Sequence, residues 1–227
     1  MTHYITPMCS IYSFKRSAEE TRSLLDYLER PDFPPRPFIT PGSPIAIIRQ
    51  EMGARHFALV RWGLVPAWVK EIKPGRPLTN ARAEGILEKP SFRNAMKRRR
   101  CLVPADGFYE WSGDIPGRKQ AWRFQRGDGG LFAFAGLWEH WMGADGSEIE
   151  SAAIVTTAAN AAVGRIHSRM PVAIAPANFE TWLTGELDDA APLLRAAPDD
   201  FFTAEKTVIP RGSPPPPPPA DLQLPLL

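Results

Sequence analysis

The chain is 227 residues long, enough for one domain with a sizeable core and short for two large ones. A formal net charge of +2 with 23% charged residues does not by itself mark a nucleic-acid binder, so any such role must rest on local charge placement. The 25 prolines weigh against long helices; the two cysteines, Cys9 and Cys101, are too few for a disulfide framework and lie outside metal-ligand spacing; and no apolar run approaches the ~18 residues of a membrane span.

The opening MTHYITPM lacks the basic start and apolar stretch of a secretory signal, and the sparse cysteines fit a reducing, cytoplasmic setting. Residues 17–30 predict a helix, with Ser17 as cap, Glu20 closing a capping box, Leu24, Leu25 and Leu28 on the apolar face, and Pro31 as the stop. A proline-rich link follows, and residues 45–49 and 56–62 then read as a hairpin around a turn near Gly53. Residues 91–99 predict a short helix carrying Arg93, Lys97, Arg98 and Arg99, with Arg100 next; the plain reading of this cluster is a solvated surface run. Strands are predicted over 101–103 and 107–111, and a second hairpin over 122–125 and 131–138 across Gly127, Gly129 and Gly130. Residues 152–157 read as a strand, 159–165 as a helical turn, 171–175 as a strand and 176–184 as a helix with Pro176 near its start. Many strands and few short helices imply an α+β fold, a single compact domain with a mainly antiparallel, barrel-like sheet. Six prolines at 214–219 open a tail, 211–227, expected to be extended and either passive or a proline-tract ligand for another protein.

Four segments concentrate reactive groups: Met8-Cys9-Ser10, residues 79–84 (TNARAE), residues 104–111 (PADGFYEW) and residues 166–171 (IHSRMP). Each alone has a bland reading. A lone cysteine is commonly a small core residue, and Glu110 between Tyr109 and Trp111 fits the polar face of an alternating strand. His167 before Arg169 fits a surface or a satisfied core histidine equally well. Taken together, Cys, His, Glu and Asn are the residue types of a nucleophilic site.

The blocks RWGLVPAW (61–68), NARAE (80–84), RCLVPADGFYEW (100–111), FAFAGLW (132–138), TTAAN (156–160) and IHSRMP (166–171) agree in order and spacing with one family. The chain resembles the SRAP family, the SOS response-associated peptidases or abasic-site processing proteins, from about residue 8 to about residue 184. The resemblance implies a compact α+β domain with a barrel-like centre and a basic DNA channel. It implies that Cys9, exposed as an N-terminal residue, cross-links to abasic sites in single-stranded DNA, with Asn80, Glu110 and His167 as further active-site residues. It implies Arg82 as a phosphate contact, Arg169 as a further DNA-binding residue, and Trp62 and Trp68 as residues shaping the DNA channel. No metal or organic cofactor is implied; a monomer acting on abasic single-stranded DNA, with no membrane partner, is expected.

The chemistry suits these types. A ring-opened abasic sugar carries an aldehyde; an N-terminal cysteine offers an amine that forms an imine and a thiol that then closes a five-membered thiazolidine. An α-amine titrates near ~7.7–8.0, so a useful fraction is neutral at cellular pH, whereas a lysine near ~10.4 would need strong depression. Because Cys9 is not residue 2, residues 1–7 are expected to be a mis-assigned or removed extension, with translation starting at Met8 and that methionine then removed, or with self-cleavage between Met8 and Cys9. Where the family commonly has Cys-Gly-Arg, this chain has Cys9-Ser10-Ile11, and Phe38-Ile39-Thr40-Pro41 lacks the family's Asn. The same residues allow two other readings. One is a general cysteine peptidase built on Cys9 and His167; the other is a DNA-binding domain without chemistry, whose binding would be salt-sensitive but survive loss of Cys9.

Overall fold

The computed structural model describes residues 10–29, 31, 33–72, 77–113, 115 and 119–210. Cys9, the N-terminal extension and the proline-rich tail lie outside them.

Strand β1 (Ile11–Phe14) leads into helix α1 (Ala18–Leu25), β2 (Arg36–Ile39), β3 (Pro44–Glu51), β4 (Ala54–Trp62) and β5 (Asn80–Arg82). Helix α2 (Arg93–Arg98) precedes β6 (Arg100–Ala105), β7 (Gly107–Ser112), β8 (Gln120–Arg126), β9 (Phe132–Met142) and β10 (Glu148–Ala158). Then come α3 (Ala161–Gly164), β11 (Arg169–Pro171), β12 (Ala173–Ile174), a 3₁₀ turn at Pro176–Asn178, α4 (Phe179–Thr184), α5 (Leu187–Ala190) and β13 (Phe202–Thr207).

Two sheets result. β4, β3, β6, β9 and β10 close into a barrel, because β10 pairs antiparallel with β9 and, at Ser151–Ala152, parallel with β4. An open sheet runs β13-β8-β7-β1-β2. The α+β, mainly antiparallel, barrel-like reading of the sequence describes this single domain. One face of the barrel strands, with Ile45, Ile47, Val60, Trp62, Val103 and Phe134, packs on the open sheet through Tyr12, Phe14, Phe108 and Phe124. The other, with Ile48, Leu102, Leu137 and Val155, is covered by α1, α2 and α4 through Leu25, Met96, Phe179 and Trp182.

Local physics explains where the expected elements hold and where they fail. The capping box of Ser17 and Glu20 is present, but α1 ends at Leu25, short of the predicted 30. Asp26 adopts a left-handed conformation (φ 51°) and returns its N–H to the Arg22 carbonyl, which turns Tyr27 into the core. The first hairpin forms as β3–β4 with a two-residue turn, Met52 (φ 48°) and Gly53 (φ 81°), the pair of positive φ values that a type I′ turn needs. The second hairpin does not form. β8 pairs with β7 and β13, β9 with β6, β10 and β12, so the glycine-rich turn at 127–130 carries the chain from the open sheet to the barrel. The predicted strand 171–175 is two short strands, β11 and β12, on different neighbours. Part of the proline-rich link is β2, an edge strand where Pro37 costs no interior ladder bond.

Candidate active site

The C-terminal half of β10 extends past β9 and β4 and is flanked by two three-residue strands. On one edge β5 pairs in parallel, Asn80 opposite Ile154 and Arg82 opposite Thr156. On the other, β11 pairs antiparallel, Pro171 opposite Thr156 and Arg169 opposite Ala158. Strand alternation turns Asn80 and Arg82 to one face and buries Ala81 completely on the other. Arg82 is exposed; Asn80 is half-buried.

His167 sits in the turn between α3 and β11, its N–H on the Val163 carbonyl at 3.0 Å. Glu110 arrives from the other sheet, on β7, and is 2% exposed. Its Oε1 lies 3.9 Å from His167 Nδ1, an ion-pair distance rather than a hydrogen bond. The Arg169 N–H, which can only donate, sits 3.1 Å from Nδ1, while the Arg169 carbonyl is 3.2 Å away. A neutral His167 therefore accepts at Nδ1 and keeps its proton on Nε2. A protonated ring turns Nδ1–H to the Arg169 carbonyl, with the Glu110 carboxylate beside it. The imidazole and the buried carboxyl thus face each other as two groups able to carry protons.

The two arginines differ. Arg169 is held: its guanidinium donates to Glu84 Oε1 at 2.7 Å and to the Thr156 carbonyl at 2.8 Å, leaving the side chain 14% exposed. Glu84 also accepts the Ala158 N–H at 3.2 Å. The hydrogen bond from Arg169 pulls the Glu84 carboxyl down to about 2. Arg82 is the more accessible cation.

Trp62, expected to shape a DNA channel, presents no ring face to a ligand. It is 0% exposed, packs edge-on against Tyr12 and donates its indole N–H to the Thr79 carbonyl at 2.9 Å. It acts from behind, fixing the residue before Asn80. Trp68 is 61% exposed, on a loop pinned by Trp141 Nε1 to the Val69 carbonyl (2.7 Å) and by the Val65 N–H to Ser151 Oγ (2.8 Å). The basic cluster also divides: Arg100 is buried and donates to the Met96, Trp182 and Gly185 carbonyls, Arg99 pairs with Glu139, and Arg93, Lys97 and Arg98 remain exposed. Cys101 is fully buried, and burial pushes its thiol well above the ordinary range, so it is an unreactive core sulfur.

Glu84 and Asp106, both within the quoted blocks, were given no role from the sequence. Glu84 neutralises Arg169. Asp106, 2% exposed between β6 and β7, accepts from Ser13 Oγ (2.6 Å), from the Lys15 N–H and from Arg123 (3.2 Å). A charged residue between two apolar strand segments was the available signal. Among the described residues no group of three or more His, Cys, Asp or Glu side chains is placed to hold a metal ion. No helix among them is long and apolar enough to cross a membrane.

Residues 8–208 match the family model for SOS response associated peptidase (SRAP). Abasic site processing protein YoqW of Bacillus subtilis is 37% identical over 163 residues, covering 72% of this chain and 73% of that protein. Abasic site processing protein YedK of Escherichia coli is 30% identical over 189 residues, covering 79% and 81%. A crystal structure of a Bordetella bronchiseptica protein, 27% identical, superposes with a TM-score of 0.77 over 88% of this chain and 100% of the other.

Proposed function

Since the chain belongs to the SRAP family, we propose that it processes abasic sites in DNA, capturing them covalently in single-stranded DNA through Cys9. Relatives named abasic site processing proteins supply the substrate class. The observation that carries the reading is the convergence of Asn80 and Arg82 from β5, His167 and Arg169 from the turn into β11, and Glu110 from the other sheet. Cys9 is two residues before Ile11, which pairs with Tyr109, the neighbour of Glu110.

The reaction needs no oxidant. The neutral α-amine of Cys9 adds to the aldehyde carbon of the ring-opened sugar, and the carbinolamine loses water to give the imine. The thiol then adds across the C=N bond, its proton passing to nitrogen, and closes the thiazolidine. The net change is condensation with loss of one water. Glu110 and His167 carry the protons that leave and return at nitrogen and oxygen; Asn80 orients the sugar by hydrogen bonding; Arg82 holds a flanking phosphate. The amine must be free, by initiation at Met8 followed by removal of that methionine or by self-cleavage of the Met8–Cys9 bond in the longer chain. The second route is an autopeptidase activity and accords with the family's name.

The test is intact mass spectrometry of the protein before and after mixing with an abasic single-stranded oligonucleotide. A chain beginning at Cys9 and an SDS-stable adduct weighing the sum of the two less one water are expected, with no adduct from Cys9→Ala. A preparation that retains residues 1–8 throughout yet forms the adduct would overturn the thiazolidine mechanism.

A further inference from the structure

Glu110 does not stand alone on its face of the open sheet. Trp122 of β8 is paired with Glu110 of β7 on one side and with Lys206 of β13 on the other, so these residues form one cross-strand row. Alternation puts the row on the same face as Phe108, Phe124 and Phe202, the face turned to the barrel and to His167. The row has a fixed member and an exposed end. Trp122 is half-buried, and its indole N–H donates to Ser112 Oγ at 2.9 Å. Lys206 is exposed on the edge strand, with Nζ 5.6 Å from the centre of the Trp122 ring, a cation–π distance. Its neighbour Glu205 is on the other face of the strand, where it pairs with Arg123 at 3.3 Å. The condensation itself uses neither Trp122 nor Lys206.

The place of this row relative to Arg82 gives it a use. β5, which carries Arg82, and β11 flank opposite edges of β10. Helix α3, whose chain continues through His167 into β11, packs on β13. From Arg82 the molecule thus runs through β10, β11 and the His167 turn to β13, and Lys206 lies past the Glu110–His167 pair on the side away from Arg82. Neighbouring strands are about 4.8 Å apart, so Lys206 is roughly 10 Å from Glu110 along the row. A polynucleotide whose sugar reacts at Glu110 and His167 carries phosphates on both sides of that sugar. Arg82 meets one side, and the other passes the end of the open sheet. A lysine is a mobile point charge with three donors, and an aromatic face beneath it holds the ammonium without neutralising it. We propose that Lys206, seated on Trp122, is a second phosphate contact for the bound single strand, on the side of the abasic sugar opposite Arg82.

This inference rests on the abasic-site reading, and the experiment separates the two. One neutral methylphosphonate linkage is moved stepwise along an oligothymidylate carrying one abasic site. Affinity is read by fluorescence anisotropy in the Cys9→Ala background, which leaves the chemistry out, and adduct yield is read with the wild type on the same strands. Lys206→Ala is expected to weaken binding about twofold to fivefold, the scale of an exposed ion pair, and to lower the slope of log affinity against log salt by about 0.7. Lys206→Arg, which keeps the charge, is expected to restore most of both. At one linkage close to the abasic site, neutralisation is expected to cost the protein with Lys206 that same factor and to cost Lys206→Ala nothing further. For Arg82→Ala the linkage that behaves in this way is expected on the other side of the site. With Trp122→Leu in place, Lys206→Ala is expected to cost less; an equal cost overturns the part given to the ring. No loss with Lys206→Ala, a loss that adds to every neutral linkage alike, or a linkage on the same side as that of Arg82 overturns the contact and leaves the abasic reading standing. No adduct from the wild type on any strand overturns the abasic reading itself.

Discussion

The barrel and the open sheet hold their shares of the candidate site in different ways. β5 and β11 are fastened to the two edges of β10, a strand that also pairs with β9 and β4, so Asn80, Arg82 and Arg169 stand on a closed framework. Glu110 stands on a sheet whose outer strands, β2 and β13, each have a partner on one edge only. One of the crossings between them is the ribbon β6–Asp106–β7, in which a single buried carboxylate ties together β1, β8 and the crossing point. The lesson is a division of labour: the barrel fixes Asn80, Arg82 and Arg169, and the open sheet delivers the buried Glu110, the group proposed for proton transfer.

The largest expected effect tests the open sheet's share. Glu110→Gln keeps the volume and removes the charge facing His167; single-turnover adduct formation should slow by about 10²–10⁴-fold, with DNA affinity nearly unchanged. A rate within a few fold of wild type would leave the open sheet with no part in the chemistry. Next is the joint. Asp106→Ala strands the Arg123 guanidinium and the Ser13 hydroxyl in a buried place and should cost about 3–5 kcal/mol in chemical denaturation. A loss below about 1 kcal/mol would mean that something else couples the halves.

Smaller effects sharpen the contrast within the barrel. Arg82→Ala should weaken single-stranded DNA binding and lower the slope of log affinity against log salt by about 0.7–1. Arg169→Ala should change that slope less, because Glu84 already neutralises this guanidinium. Equal slopes for the two variants would refute the distinction. The smallest effect is in pH. Glu84 titrates at about 2 in the folded chain, below its unfolded range, so its contribution to stability is whole above that range and is lost as pH falls towards 2. The side chain is 55% exposed, so the contribution is slight. Thermal melts of wild type and Glu84→Gln should differ at pH 6 and converge by pH 2; a gap that stays constant would remove Glu84 as the titrating group.

Much of this architecture was legible in local signals. The β3–β4 hairpin declared itself through alternation on both sides of Met52-Gly53, and α1 through its capping box. What stayed hidden was the choice of partner. Residues 120–138 look like one hairpin because two apolar runs flank a glycine-rich turn, and nothing local says that the runs belong to different sheets. β13 was missed because FTAEKT, an edge strand, is mostly exposed after Phe202 and lacks an apolar pattern. At the site, residue types were readable and proximity was not: Glu110 and His167 are 57 positions apart, and only the packing of β7 against the turn before β11 brings them to 3.9 Å. Trp62 and Trp68 show the same limit, since two tryptophans six positions apart end at 0% and 61% exposure.

The ribbon through Asp106 also bears on time. A site assembled from two separately hinged bodies can open and close on substrate; here the two sheets share one continuous apolar cluster, so separating Glu110 from Asn80 means exposing buried side chains between them. Such openings belong to the slow end of protein motion, where amide exchange is measured in minutes to hours rather than microseconds. Whatever strand is captured must then do the bending itself and conform to a cleft that is already set when it arrives.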